Sequence, residues 1–346
     1  MASSSYRVYV TFSGEASRGE PAAAPTDAKP KVKKPIDNVK AVSAKGNDKG
    51  DVLGKGAGSS ELRGMALDAH GQLYVANASK HRSAIDVFGP VNKDGITRDL
   101  LVAGLITETS STAFLHPFQL LFSGSTLYVS NQDTNVVAAY AISGSGKVTS
   151  ATPTTTATYL TSLFPGPFFD GTWVASAQPI SRDGITPCTV PPERGGLART
   201  AHHSVRGLAI VGRALFVSDE AGDRVAVYDL VSGAYQSALT GVDSSAIANP
   251  VALAVDGRSG TIAIGSTGND LIFAYDPVAN VLSVLFDAGA NGISDLSGLA
   301  WTPDGALLFG SRAKRRVYVL DPKSGKHEKF TKKFDDSPEC LLVVPS

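Results

Sequence analysis

The sequence predicts an all-β protein: a single six-bladed β-propeller whose C-terminal strand pairs with its N-terminal strands. Three observations predict it. One three-strand unit recurs along the chain, the two chain ends each carry part of a further unit, and helical hydrophobic periodicity is absent throughout.

The unit is a small apolar strand, a Gly-containing turn, a strand ending in a polar residue, a polar turn and a third strand. Its copies cover residues 63–88 (RGMALDAHGQLYVANASKHRSAIDVF), 117–142 (PFQLLFSGSTLYVSNQDTNVVAAYAI), 206–230 (RGLAIVGRALFVSDEAGDRVAVYDL), 250–276 (PVALAVDGRSGTIAIGSTGNDLIFAYD) and 297–321 (SGLAWTPDGALLFGSRAKRRVYVLD). We name the strands a, b and c. A fourth, d, follows each unit, as in residues 234–239 and 281–286. Short runs rich in Val, Leu and Tyr, bounded by Gly, Asp and Asn, read as antiparallel strands. Four per unit make one blade.

The chain ends supply the closing blade. Residues 339–345 (ECLLVVP) match strand a and then stop, residues 6–12 (YRVYVTF) match strand b with no strand a before them, and residues 38–46 match strand c. Completing one blade from both termini removes two open sheet edges. The alignment places Gly64, Phe118, Gly207, Val251, Gly298 and Cys340 at equivalent points of strand a. The step from Phe118 to Gly207 is 89 residues, against 42 to 54 elsewhere. A long insertion there gives six blades. The alternative is a seventh blade around residues 169–176 (FDGTWVAS), although residues 177–203 hold Pro-rich breaks and no clear strand c. Residues 1–346 thus read as one domain. Its insertions 13–36 and 165–203, with the stretch 102–116, fall on the face where the channel opens. Loops of this length commonly carry function or are disordered; the Ala/Pro/Lys-rich segment 13–36 reads as a tether.

Composition supports this reading. Of 346 residues 42% are hydrophobic and only 18% charged, with 35 Gly and 19 Pro, as a turn-rich β-protein needs. Lys+Arg and Asp+Glu are both 32, so the basic footprint of a nucleic-acid binder is missing. No run of about 18 apolar residues predicts a membrane span. The start, MASSSYRVYV, lacks the basic and apolar regions of a signal peptide, so the expectation is a cytoplasmic monomer. Cys188 and Cys340 have no metal-ligand spacing and read as free thiols.

The phrases LYVAN (73–77), LYVSN (127–131) and LFVSD (215–219), each followed by a polar turn and a strand such as RVAVYD (224–229), resemble NHL-repeat propellers and are similar to the YVTN propellers. The resemblance covers most of the chain outside residues 13–36 and 143–203. It implies the fold. These groups and their gluconolactonase-like and strictosidine-synthase-like neighbours include scaffolds, lactonases and lyases, so the resemblance implies no single activity. The gluconolactonase-like group would imply a divalent metal held by Glu, Asn and Asp at the starts of strand a. Glu339 and Asn249 match that pattern, but Arg63, His116, Arg206 and Ser297 take the other places, leaving two oxygen ligands without a third.

Candidate site residues follow from the blade alignment. The starts of strand a supply Arg63, His116, Arg206, Asn249 and Glu339; the ends of strand b supply Asn77, Asn131, Asp219 and Glu220. His116, Glu339, His202 and His203 are the candidate acid–base groups. Arg63 and Arg206 are two blades apart and either converge on one anion or pair with neighbouring carboxylates. Asn77, Asn131 and Asp219 either contact substrate or cap the b–c turn. Phe168, Phe169 and Trp173 either line a pocket or pack on the blade below. No G-x-S-x-G in a strand–turn–helix setting and no H-E-x-x-H is present. The expected function is a small-molecule-binding propeller acting without a cofactor, as a lyase, cyclase or hydrolase, on an anionic and partly apolar ligand. The alternatives are a non-catalytic protein-interaction scaffold and a metal-dependent, lactonase-like hydrolase.

Overall fold

The computed structural model describes residues 5–12, 14, 36–54, 61–79, 82–92, 97, 99–107, 114, 116–132, 136–142, 158–162, 204–230, 235–241 and 246–345. The first three strands, β1 (Tyr6–Phe12), β2 (Lys40–Ser43) and β3 (Asp48–Asp51), have no inner strand of their own before them. Blade 1 follows as β4 (Leu62–Leu67), β5 (Gln72–Ser79), β6 (Arg82–Pro90) and β7 (Leu100–Thr107). Blade 2 is β8 (Pro117–Ser123), β9 (Thr126–Asn131), β10 (Val136–Ala141) and β11 (Thr158–Ser162); blade 3 is β12 (Val205–Val211), β13 (Ala214–Asp219), β14 (Arg224–Asp229) and β15 (Tyr235–Leu239). Blade 4 is β16 (Pro250–Val255), β17 (Ile262–Ser266), β18 (Leu271–Asp276) and β19 (Val281–Asp287). Blade 5 is β20 (Leu296–Trp301), β21 (Leu307–Ser311), β22 (Arg316–Leu320) and β23 (His327–Lys329). The last strand, β24 (Pro338–Pro345), lies against β1 and completes blade 6 in the order β24-β1-β2-β3. Tyr6 faces Pro345 and Val10 faces Leu341 in an antiparallel register, so head and tail close the ring as the sequence predicts.

Each innermost strand packs on the innermost strand of the next blade, and β24 packs on β4. Because β8 packs directly on β12, no blade intervenes between blades 2 and 3, and the ring has six blades. Residues 102–107, expected in a loop, belong to β7 and form the outer strand of blade 1.

The LYV and LFV runs of strand b are apolar at every position for a simple reason. Each blade is covered on both faces, so both alternating sets of side chains are buried. Leu73 and Val75 pack toward blade 6, while Tyr74 and Ala76 pack toward blade 2. Likewise Leu215 and Val217 face blade 2, and Phe216 faces blade 4. Among the described residues the core is therefore divided into six clusters, one between each pair of neighbouring blades.

The start of strand a is built alike in all six blades. The pairing of strands a and b shifts register there, which marks a bulge. This register makes Arg63, Phe118, Arg206, Val251, Ser297 and Glu339 equivalent, followed by Gly64, Gln119, Gly207, Ala252, Gly298 and Cys340. The sequence alignment was thus one residue off in blades 2 and 4, where Gln119 and Ala252 replace the marker glycine. Only alternate blades need that glycine. A Cβ on Gly207 would lie 2.8 Å from Leu253 N in blade 4, and one on Gly298 would lie 2.7 Å from Leu341 N in blade 6. Glycine is what lets neighbouring inner strands approach this closely around the axis.

A hydroxyl from strand b joins the blades at the same level. Ser130 Oγ accepts from Gln119 N at 2.9 Å and donates to the Arg206 carbonyl of the next blade at 2.6 Å. Ser218 Oγ accepts from Gly207 N at 2.6 Å and donates to the Val251 carbonyl at 3.3 Å. In blade 6, Thr11 Oγ1 accepts from Cys340 N at 3.1 Å. The serine of the LYVSN and LFVSD phrases thus belongs to the inter-blade contact. In blade 5, Gly310 takes that place, and the Ser297 hydroxyl occupies the room its missing Cβ leaves.

Gly207→Ala is expected to destabilise the protein by about 1–3 kcal/mol through overpacking. Gly257→Ala, where an added Cβ meets nothing within 4 Å, is expected to be near neutral. Urea unfolding of the two variants checks this.

Candidate functional site

The site is assembled by the bulged starts of strand a at one mouth of the channel. One residue before each strand the backbone is left-handed in blades 1, 2, 4 and 5, at Glu61 (φ 57°), His116 (φ 52°), Asn249 (φ 46°) and Asp295 (φ 58°). Their carbonyls accept from the end of strand b: from Ala78 N within β5, and from Gln132 N, Thr267 N and Arg312 N just past β9, β17 and β21. This bond fixes the rim, and the ring from Arg63 to Glu339, two residues further on, turns toward the axis. His116 and Asn249 therefore stand on the outer rim and are not equivalents of Arg63 and Arg206.

Three arginines and three carboxylates meet here. Glu220 Oε2 accepts from Arg206 Nη2 at 2.6 Å and from Nε at 2.9 Å. The Arg206 guanidinium also lies 4.7 Å from the centre of the Phe118 ring, so its face is covered as well. Asp295 Oδ1 accepts from Arg312 Nε at 2.9 Å and sits 2.7 Å from Nη2. The third pair is looser. Arg63 Nη1 is 3.4 Å from Glu339 Oε2, and Arg312 Nη1 is 3.6 Å from Glu339 Oε1. Neither approach makes a hydrogen bond. Arg63 Nε and Nη1, Glu339 Oε2 and Gln132 Oε1 are buried with no hydrogen-bond partner. Arg63, Gln132 and Glu339 are only 8%, 5% and 3% exposed. Gln132 comes from the position equivalent to Glu220 and Arg312.

The charges tune one another. Burial pushes the Glu339 carboxyl up, but Arg63, then Arg312, Arg206 and His116 outweigh it and hold the group below its ordinary value. Burial lowers Arg206, partly offset by Glu220 and Glu339. The Cys340 thiol beside Glu339 is pushed up to about 12, by burial first and then by that carboxylate. Cys340 is a free cysteine, held in its unreactive form at neutral pH.

The other sequence candidates divide clearly. Asp219 is fully buried and works within its blade: Oδ1 accepts from Ser204 N and Gly222 N, and Oδ2 from Arg224 Nε. Asn131 Nδ2 donates to the Val129 carbonyl, and Asn77 is buried in the register opposite Leu62. His116 N donates to Ser83 Oγ at 3.1 Å. His202, His203, Phe168, Phe169 and Trp173 lie outside the described residues, as does nearly all of the insertions 13–36 and 165–203. Arg312, Asp295 and Gln132 were missed by the sequence reading. Blade equivalence with Glu220, which it did note, was the signal that could have found Gln132 and Arg312.

A divalent cation does not fit this donor set. Glu339 is surrounded by three arginines, and Asn249 is held on the rim, its Nδ2 donating to the Glu220 carbonyl at 2.9 Å. Among the described residues no three His, Cys, Asp or Glu side chains gather as metal ligands. Nor is any described helix long and apolar enough to cross a membrane.

Comparison with known proteins shows the fold and no more. No protein-family description and no curated protein matches the chain. Among solved structures, a chain of a nidogen/laminin complex is similar over 98% of both chains, with 10% identity and a TM-score of 0.59. A 6-phosphogluconolactonase candidate from Bacteroides fragilis is similar over 99% of both chains, with 14% identity and a TM-score of 0.55. Another from Bacteroides uniformis is similar over 99% of this chain and 84% of its own, with 11% identity and a TM-score of 0.54. The chain is a six-bladed β-propeller, the class that the NHL- and YVTN-like phrases imply. Fold likeness at this identity transfers no activity.

The acid limb of stability should report on Glu339. Its folded pKa lies below the ordinary value of a glutamate carboxyl, about 4.5. Its charged form therefore stabilises the fold above about pH 4.5, and this contribution is lost as pH falls through the depressed value. Glu339→Gln is expected to cost about 3–5 kcal/mol at pH 7, because Arg63 is left as a buried charge without its partner. The gap from wild type should narrow below pH 4.5, as chemical unfolding across pH will show.

Proposed function

We propose that this propeller binds a small molecule at the strand-a mouth of its channel and acts on it without a cofactor, by acid–base chemistry of the lyase, cyclase or hydrolase kind. The observation that supports this is the Arg63–Glu339 couple: two opposite charges, more than nine-tenths buried, 3.4 Å apart and not hydrogen-bonded to each other. Leaving a buried polar atom unsatisfied costs about 1–3 kcal/mol, and more for a charged one. Such a cost has a physical reason where a ligand completes the bonds. In this reading Arg63 orients the ligand, Glu339 accepts a proton or steadies developing positive charge, and His116 supplies a second titratable group at the rim. Arg206 and Arg312, bonded to Glu220 and Asp295, form the wall.

The test is a thermal-shift screen of a metabolite panel followed by mass spectrometry of the incubated hits. At least one compound is expected to raise the melting temperature of the wild type and to be converted by it. Arg63→Gln should abolish the shift and lower turnover at least a hundredfold. A hit whose shift and turnover survive in Arg63→Gln sinks the proposal.

One observation favours a second reading, a protein-interaction module. A cleft of about 540 Å³ lies at the outer edges of blades 3 and 4, lined among others by Leu239, Phe273, Tyr275, Leu282 and Val284. Val284 in its lining is 41% exposed, and Val281 on the same strand is 53% exposed. On that reading Val284→Asp, not Arg63→Gln, would remove the protein's binding.

A further inference from the structure

We infer that the ligand of the channel mouth is a neutral, polyhydroxylated ring, of the sugar or cyclitol class, rather than an anion. The inference rests on the proposed small-molecule site and narrows it. The sequence alone, showing Arg63 and Arg206 two blades apart, pointed to an anionic ligand. The geometry removes the reason. Each arginine at the mouth already faces a carboxylate: Arg206 with Glu220, Arg312 with Asp295 and Arg63 with Glu339. The formal charges cancel, and Glu61 adds a further acid at the rim of blade 1. Among the described residues no arginine of this ring is left over to offset an incoming anion. A carboxylate or phosphate that reached Arg63 would also meet Glu339, whose neighbours keep it ionised, and like charges this close repel strongly in a buried site. An ammonium ion would meet the three arginines instead.

The unbonded atoms give the positive half of the argument. Arg63 offers two buried donors, Nε and Nη1; Glu339 Oε2 and Gln132 Oε1 are two buried acceptors. A ligand satisfying all four must both donate and accept, and Arg63 Nη1 and Glu339 Oε2 are only 3.4 Å apart. A hydroxyl does both, and adjacent hydroxyls on one ring can accept from Arg63 while donating to Glu339 and Gln132. The bonds to Arg63 and Glu339 would be charge-assisted, the stronger kind, without adding net charge to the site.

Isothermal titration of the full chain with matched probes tests this: D-glucose against D-glucuronate, and myo-inositol against myo-inositol monophosphate. At least one neutral probe is expected to bind, and its charged partner to bind at least tenfold more weakly. Arg63→Gln and Gln132→Met should each weaken the neutral probe at least tenfold. Gln132→Met keeps the volume and the charge balance, so it remains informative if Arg63→Gln fails to fold, which a melting curve will show. A charged probe that binds as well as or better than its neutral partner, with that binding lost in the variants, overturns the ligand class and leaves the site standing. Binding that both folded variants retain overturns the site itself. No binding by either neutral probe overturns the class.

Discussion

The structure depends on the pairing of β24 with β1. Six sheets, each covered on both faces by its neighbours, can bury all their apolar side chains only if the ring has no first and no last blade. Tyr9 and Val10, brought beside Leu342 and Leu341, make the sixth blade from chain segments more than 300 residues apart. Their side chains then join the clusters facing blades 1 and 5. Without that contact, β4 and β20 would each expose an apolar face, and β24 and β1 would be left with unpaired edges.

Closure also creates the site. Glu339 belongs to the tail, Arg63 to the first complete blade and Arg312 to the last, so the central carboxylate meets its two nearest arginines only in a closed ring. The same segment thus carries the fold and the chemistry. Propellers commonly separate the two, with function on loops and stability in blades. Here the strained rim residues, with left-handed backbone at Glu61, His116, Asn249 and Asp295, belong to the strand starts themselves. The bulge that re-aims each strand a lets the backbone bonds of the blade and the side chains of the channel come from adjacent residues.

The alternation of glycine with larger residues, Gly64 with Gln119, Gly207 with Ala252 and Gly298 with Cys340, gives the inner ring a pairwise rhythm. Every second blade lets its successor approach closely. Ser130 and Ser218 add a hydroxyl bridge between consecutive inner strands, so the channel wall is held by close backbone approach and by strand-b hydroxyls bonded to backbone groups. The side chains facing the axis are then left to vary. That arrangement fits an architecture found in proteins as different as a nidogen/laminin complex chain and lactonase candidates. It is also why the fold by itself says little about activity.

The repeat, the six blades and the closing partnership of the two chain ends could be read from sequence, because each rests on short-range patterns. Apolar strands, Gly- and Asp-rich turns and an incomplete unit at each end are local signals, and they remain visible in one dimension. Arg63, Arg206, His116 and Glu339 could be named for the same reason, since each sits near a recognisable strand start. What the sequence could not fix was register across the bulge. One residue decides whether a side chain faces the axis or the rim, and no glycine marks that residue in blades 2 and 4. Nor could it show which carboxylate each arginine takes. Glu220, Asp295 and Glu339 reach their partners through distances in space that no spacing records, and only the closed ring decided that Arg206 is bonded into the wall while Arg63 and Glu339 keep atoms to spare.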